Sequence, residues 1–317
     1  MKNVGIVVLN YKKWEDTIEC LNSIKNSTCS NYKIIVVDNN SNNNSIENIN
    51  DWWAKQYSDS IEKVNDKQLY ANNNKTFFSF QSLENKGYAV GNNIGIKLAI
   101  EQNCDYILIL NPDTQVTNNF LNPMVKFLNN NKDVAMVGPK IITPANSIDY
   151  VCSRKRPTIW DYIIPTYVVR YFFKGLSYNK YNPVLYSSDV YLSDKPQSVD
   201  IISGACMLIK SDILEKIGFF DKNTFLYLEE LILHEKLLEQ NKKTFYIPES
   251  VIIHKQGSST SLDSWLFIRK EYLKSLNYYL LEYRKFNSFL RMFILLNVSI
   301  FQSFNFLKSY IKNILKH

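Results

Sequence analysis

Two aspartates stand just behind short apolar runs. Asp38 closes YKIIVV and opens Asp38-Asn39-Asn40-Ser41, and Asp113 follows YILIL within Asn111-Pro112-Asp113-Thr114. A carboxylate in such a place can simply cap a turn. It can equally accept a hydrogen bond from a nucleobase imide or a ribose hydroxyl. His254 ends a third apolar run, Val251-Ile252-Ile253, and precedes Lys255-Gln256-Gly257-Ser258-Ser259, a small polar loop suited to approach a phosphate. Asp113 and His254 together would offer a hard oxygen and a borderline nitrogen. Mn²⁺ or Mg²⁺ accepts such a pair when diphosphate oxygens complete the shell. Glu229-Glu230 is an adjacent acid pair directly after Phe225-Leu226-Tyr227-Leu228. Charged surface would explain it cheaply, yet an apolar, aromatic setting is also how a general base acquires a raised pKa. Gly204 and Ala205, in an SGA turn, would let backbone approach a ligand closely, with tight strand packing as the plainer role.

The elements that must position these residues alternate. Gly5–Leu9, Tyr32–Val37, Lys75–Leu83 and Tyr106–Leu110 read as strands, the continuous apolar runs among them as strands buried on both faces. Between them Glu15–Lys25, Ser45–Tyr57 and Tyr88–Glu101 carry apolar residues at helical spacing, with Ser45 a candidate N-cap. The alternation predicts an α/β fold with a doubly wound, mostly parallel sheet and helices on both faces. Ligands in such sheets sit at the carboxyl ends of the strands. Asn10, Asp38 and Asp113 all fall at that edge, the two carboxylates expected on adjacent strands. Residues 148–197 lose the alternation and become aromatic-rich. Periodicity returns with Val199–Lys210, helices near 211–217 and 229–241, a short strand Lys243–Ile247, and the run ending at His254.

Several function classes are already disfavoured. Glycines 87, 91 and 95 are spaced by four, so no dinucleotide-binding G-x-G-x-x-G follows the first strand, and no Walker motif is present. The formal charge of +7 resides in residues 264–317, which hold nine Lys/Arg and two Asp/Glu, so the first 263 residues are neutral. Without a basic face on the main body, nucleic-acid binding is not expected. Five scattered cysteines with no Cys-x-x-Cys pair predict a reducing, cytoplasmic setting without zinc.

Six blocks in order resemble family-2 inverting glycosyltransferases of the GT-A fold, in particular the bacterial rhamnosyltransferase-like branch that builds surface polysaccharides. They are VVLNYKKWEDTIECLNSI, IIVVDNNS, ENKGYAVGNNIGIKLA, YILILNPDT, VDIISGACMLIKSDILEKIGFFD and IPESVIIHKQGSS. The resemblance spans roughly residues 4–260. It implies a GT-A unit over 1–263, with a nucleotide-sugar half to about residue 140 and an acceptor half beyond; the helical, aromatic-rich pattern from Trp265 onward adds a tail over 264–317. It implies a dTDP- or UDP-sugar donor, with rhamnose the expected sugar, and a lipid-linked glycan acceptor. Donor contacts are expected from Asn10, Asp38, Asn40, Lys86, Gly87, Asn92, Asn111, Asp113, Gly204 and Ala205. Asp113 and His254 would hold Mn²⁺ or Mg²⁺. Glu230 stands where the family has its catalytic aspartate, one methylene longer, with Glu229 beside it.

The tail has its own reading. Residues 292–307 carry no charge, but 16 helical residues reach only about 24 Å, short of a roughly 30 Å hydrocarbon core. With Arg284, Lys285 and Arg291 before it and Lys308, Lys312 and Lys316 after, it reads as an interfacial helix on an anionic membrane surface, placing the enzyme on the inner face of the cell membrane. A packed helical hairpin or a homodimer interface is the alternative.

Overall fold

Strands buried on both faces need cover on both faces, and the chain supplies it. The computed structural model describes residues 2–57, 61–64, 75–163, 186–255 and 262–314. The first half runs β1 (Val4–Asn10), α1 (Trp14–Lys25), β2 (Tyr32–Asp38), α2 (Ser45–Gln56), β3 (Ile61–Val64), β4 (Phe77–Gln81), α3 (Tyr88–Glu101) and β5 (Tyr106–Leu110). These strands are mutually parallel in the order β3-β4-β2-β1-β5. Helix α3 lies directly on the sheet because its glycines leave room. A Cβ on Gly91 would sit 2.5 Å from Leu9 Cδ1, and one on Gly95 2.4 Å from Val7 Cγ1. The four-residue glycine spacing is thus a packing stripe on one helix face.

The second half adds β6 (Thr114–Val116), α4 (Leu121–Asn130), β7 (Val134–Ile142), β8 (Ser153–Arg154), β9 (Gln197–Val199), β10 (Ile201–Ile202), β11 (Cys206–Lys210) and β12 (Lys243–His254). The sheet continues β5-β11-β7-β12-β6, with β11 antiparallel to both neighbours and β6 antiparallel to β12. It is the α/β architecture the alternation calls for. Three expectations need correction. Strand β1 lies between β2 and β5, so Asp38 and Asp113 do not end adjacent strands. The two short strands expected around Pro248 are one strand whose register slips between Ile247 and Val251; proline cannot donate to a ladder, so it sits at the irregularity. Ser45 does not cap α2; Asn44 precedes the helix in a left-handed conformation, and Ser45 Oγ donates to Asn43 Oδ1 at 2.5 Å.

The charge boundary near residue 264 is not a break in packing. Helix Leu262–Glu282 buries Leu276, Tyr279 and Leu280 against Leu228, Leu231 and Ile232 in a second hydrophobic cluster, which also takes Ile294 from helix Ser288–Ile314. The two C-terminal helices form an antiparallel hairpin. Trp265 stacks on Phe306 with ring centroids 4.3 Å apart, and Arg291 Nη1 donates to Asn277 Oδ1 at 2.8 Å. The outer helix leaves Phe289, Met292, Leu296, Ile300, Phe304 and Leu307 exposed along one face. Its segment Ser288–Leu307 has the length and apolar composition to cross a bilayer, with 6% of it buried. The 16-residue count understated that stretch, because the apolar helix begins at Ser288 and accommodates Arg291 internally.

Candidate active site

At the carboxyl edge, β1 and β2 end in register, Asn10 opposite Asp38. Asp38 is 1% exposed and has its carboxylate occupied by the chain. Oδ1 accepts from Asn10 Nδ2 at 2.5 Å and from Ser41 Oγ at 2.5 Å. Oδ2 accepts from Ser41 N at 2.9 Å and Gln81 Nε2 at 2.8 Å. A carboxylate offers about four acceptor positions, and four donors of the chain fill them. Thr17 Oγ1 donates to Asn10 Oδ1 at 2.8 Å, locking the asparagine as well. Asp38 therefore organises this edge. Sequence reading singled out Asp38 and Asn10 but missed Thr17, Ser41 and Gln81, which carry no signal beyond polarity beside a strand end. Asn40 is held in the left-handed region at φ 57°.

The β6–β12 pairing sets Thr114 opposite His254. It brings His254 Nε2 to 3.2 Å from Asp113 Oδ1, and Lys255 N donates to the Asp113 carbonyl at 3.0 Å. Both side chains are partly exposed, as a ligand site requires. Among the described residues no cluster of three His, Cys, Asp or Glu gathers to hold an ion by protein groups alone. A carboxylate oxygen and an imidazole nitrogen about 3 Å apart match neighbouring positions on a six-coordinate ion with bonds of about 2.1 Å. The donor set therefore fits a hard divalent cation that would take its remaining ligands from outside the chain.

The loop before α3 connects the carboxyl edge of the sheet to the acid pair. Gly87 has φ +91°, and a Cβ there would lie 2.1 Å from the Phe225 carbonyl oxygen, so only glycine fits. Tyr88 N then donates to that carbonyl at 2.8 Å. Tyr88 Oη donates to the Gly204 carbonyl at 2.9 Å, and Asn111 N donates to the Ala205 carbonyl at 2.9 Å. Gly204 itself has room for a side chain, Tyr88 Oη being 3.5 Å from its Cβ position. Asn92 is buried, its amide tied to the Tyr88 carbonyl. Lys86 pairs with Glu84 out in solvent at 2.5 Å.

Glu229 and Glu230 open helix Glu229–Glu239 after two left-handed residues, Tyr227 at φ 74° and Leu228 at φ 70°. Such conformations cost about 1–3 kcal/mol each and persist because flanking carbonyls are clamped. Phe225 is held by Tyr88, and Ser275 Oγ donates to the Leu226 carbonyl at 2.8 Å. The two acids differ sharply. Glu229 is 6% exposed, its Oε1 is buried without a hydrogen-bond partner, and burial followed by the charge of Glu230 pushes its carboxyl up to about 8. Glu230 is more accessible, its side chain 20% exposed, and Oε1 is paired with Arg154 Nη2 from β8. Burial, then the charges of Glu229 and Glu230, raises the Tyr88 hydroxyl well above its ordinary value.

One turn further along, Glu235 accepts from Arg156 Nε at 2.8 Å, Arg156 Nη2 at 2.7 Å and Tyr279 Oη at 2.7 Å. Asp221 similarly accepts from Tyr278 Oη and Tyr283 Oη at 2.7 and 2.6 Å. None of these partners was visible in the sequence, since each joins segments more than 40 residues apart.

Comparison with known proteins identifies the family and the fold. Rhamnosyltransferase WbbL of Escherichia coli (strain K12) is 25% identical over 173 residues, 53% of this chain and 60% of the relative. The N-acetylglucosaminyl-diphospho-decaprenol L-rhamnosyltransferase of Mycobacterium tuberculosis (strain ATCC 25618 / H37Rv) is 22% identical over 163 residues, 50% of each chain. The low-salt glycan biosynthesis hexosyltransferase Agl10 of Haloferax volcanii is 22% identical over 232 residues, 73% of this chain and 60% of the relative. The chain thus spans 50–60% of the length of these curated relatives. A crystal structure of GalNAc-T7 with UDP, GalNAc and Mn²⁺ is similar in fold, with a TM-score of 0.56 at 15% identity over 100% of this chain and 58% of that one. The family model "Glycosyl transferase family 2" matches residues 5–218, about two thirds of the sequence, and the chain belongs to that family.

Proposed function

We propose that the protein is an inverting, metal-dependent glycosyltransferase. It moves a hexosyl group, rhamnose by analogy with the relatives' names, from a dTDP- or UDP-sugar to a hydroxyl of a lipid-linked glycan at the inner membrane face. The observation that carries this reading is the Asp113–His254 pair, 3.2 Å apart, on the same strand-end edge as the Asn10–Asp38 cluster.

The chain's own groups divide the work. Asn10, Asp38 and Asn40 shape the seat of the nucleoside, Asp38 acting by fixing Asn10 and Ser41. Gly87, Asn92, Asn111, Gly204 and Ala205 set the backbone around the donor, and Lys86 adds positive charge at the rim. Asp113 and His254 hold the cation, which when bound neutralises charge growing on the diphosphate. The acceptor oxygen forms a bond to the anomeric carbon as the bond to the diphosphate oxygen breaks on the opposite face, and the acceptor proton passes to Glu230. Glu230 is the base because it is the accessible member of the pair; reach comes before pKa in that assignment. Arg154 fixes where its Oε1 points. Glu229, protonated at neutral pH given its raised pKa, keeps a second negative charge away from the base.

A second reading, a sugar-nucleotide-binding partner without turnover, draws on the Arg154–Glu230 pairing, which occupies the base. The deciding experiment titrates UDP, dTDP and their hexose conjugates with and without Mn²⁺, using wild type and Asp113→Asn, then assays transfer. Metal-stimulated binding by wild type alone, with transfer, is the expected result. Binding without transfer to any lipid-linked acceptor selects the silent reading, and equal metal stimulation in Asp113→Asn overturns the metal assignment.

A further inference from the structure

Between the two C-terminal helices runs an open groove of about 610 Å³, within the size range of ligand sites. Leu273, Met292, Leu295 and Leu296 give it apolar walls, and Arg291 lies among them with Asn277 and Ser299. An arginine in an apolar groove usually answers a carboxylate. Arg291 has none within ion-pair distance among the described residues. Its Nη1 and Nη2 donate to neutral oxygens, Asn277 Oδ1 at 2.8 Å and Ser288 Oγ at 3.3 Å, and its buried Nε donates to nothing. A second guanidinium, Arg269, bonds Ser299 Oγ at the groove's other end, and its Nε is also buried without a partner. One cationic donor, Arg291, therefore lies in the groove wall, and a second, Arg269, is bonded to the groove-lining Ser299.

The walls lead outward. Met292 and Leu296 belong both to the groove and to the exposed apolar stripe continued by Ile300 and Phe304. The inner helix faces two ways: Leu273 and Asn277 line the groove, while Leu276, Tyr279 and Leu280 pack on the acid-bearing helix. A free anion would leave the apolar walls unused. A bilayer headgroup would meet the exposed stripe without needing a cleft behind it.

We infer that this groove binds the phosphate and first isoprene units of a polyisoprenyl-phosphate-linked acceptor, with Arg291 as the phosphate ligand and Arg269 as its support. Guanidinium donors match phosphate oxygens in charge and fork geometry, and the apolar walls take the hydrocarbon. The inference rests on the reading above that the acceptor is lipid-linked, and it adds where that lipid is held.

The test is co-sedimentation of the full chain with phosphatidylcholine vesicles. One set carries a small fraction of polyisoprenyl monophosphate, and a charge-matched set carries phosphatidylglycerol. Wild type should favour the polyisoprenyl vesicles by about tenfold or more, the worth of a charged hydrogen bond, and inorganic pyrophosphate should not erase that preference. Arg291→Gln should lose the preference while keeping phosphatidylglycerol binding, and Arg291→Lys, which keeps the charge without the fork, should retain part of it. Thermal unfolding identifies the folded variants, and Arg291→Lys carries the test if the glutamine variant does not fold. A preference that survives in Arg291→Gln overturns this site but leaves the lipid-linked acceptor standing. No preference in wild type also overturns this site, while failure of the lipid-linked reading shows separately as absent transfer to any lipid-linked acceptor. Full competition by pyrophosphate reduces the groove to an anion site and overturns the lipid assignment alone.

Discussion

Asp38 and Glu229 are both buried carboxyls, and their surroundings send them in opposite directions. Asp38 is met by four donors of the chain, so its removal takes the shortest partner from the buried Asn10 amide and leaves the buried Ser41 N–H unpaired. Asp38→Ala is expected to destabilise the fold by about 2–5 kcal/mol, since each buried polar group left unpaired costs about 1–3 kcal/mol. Urea unfolding measures this. A variant that unfolds at the wild-type midpoint but fails to bind nucleotide would return Asp38 to a direct ligand role. Glu229 is met by no donor at Oε1 and by a neighbouring negative charge. Its carboxyl moves from an ordinary 4.5 to about 8 on folding. Between those values the folded chain keeps a proton that the unfolded chain has released. Stability therefore falls as pH rises through that window and levels off above it. Glu229→Gln should remove this slope, a difference of the order of a few kcal/mol, in unfolding followed from pH 5 to 9. Parallel slopes in the two proteins would count against the assignment. The acid pair was legible in the sequence as a candidate base in an apolar setting. Which acid is buried was not, because it depends on Arg154, contributed from 76 residues away.

At the scale of elements, the helix carrying the acids is positioned at its start and at its middle. Its start is clamped through Phe225 and Leu226, and its middle is tied by Glu235 to Arg156 and Tyr279. Tyr279→Phe removes one donor from a buried carboxylate and is expected to cost about 1.5–3 kcal/mol, the range for hydrogen bonds to charged groups. If the inner C-terminal helix positions the acids, kcat should fall while donor KM stays near wild type. An unchanged kcat with lowered stability would leave the helix a purely structural prop. The first half of the fold was readable because buried parallel strands and amphipathic helices impose distinct periods. The second half was harder. Strands of two or three residues such as β8 and β10 are too short to show a period, and β11 joins the sheet antiparallel through contacts that no local pattern encodes. The segment 164–185, within the aromatic-rich stretch, lies outside the described residues.

For the whole molecule, the two C-terminal helices should separate under truncation, although composition marks them as one basic tail. The inner helix covers Leu228, Leu231 and Ile232, directly beside the acid pair, and caps Glu235 through Tyr279. The outer helix contributes Ile294 to that cluster but exposes most of its apolar face. A chain ending at Asn287 loses the stripe, the burial of Ile294, worth about 1.5–3 kcal/mol by itself, and the lesser packing of Leu290, Leu295, Val298 and Phe306. It should fold, bind nucleotide and no longer sediment with anionic vesicles. A chain ending at residue 261 also uncovers three large side chains of the acid helix and leaves Glu235 short of a donor. It should aggregate or unfold at much lower denaturant. Membrane attachment by cations near the surface, worth about 1 kcal/mol per Lys or Arg, predicts further that sedimentation of the full chain weakens as salt rises, whereas insertion across the bilayer would not. A dimer interface predicts instead that the Asn287 truncation converts a dimer to a monomer in light scattering, with vesicle binding absent from both proteins. If the Asn287 truncation still sediments with vesicles, the membrane contact lies elsewhere on the chain and the exposed stripe needs another partner.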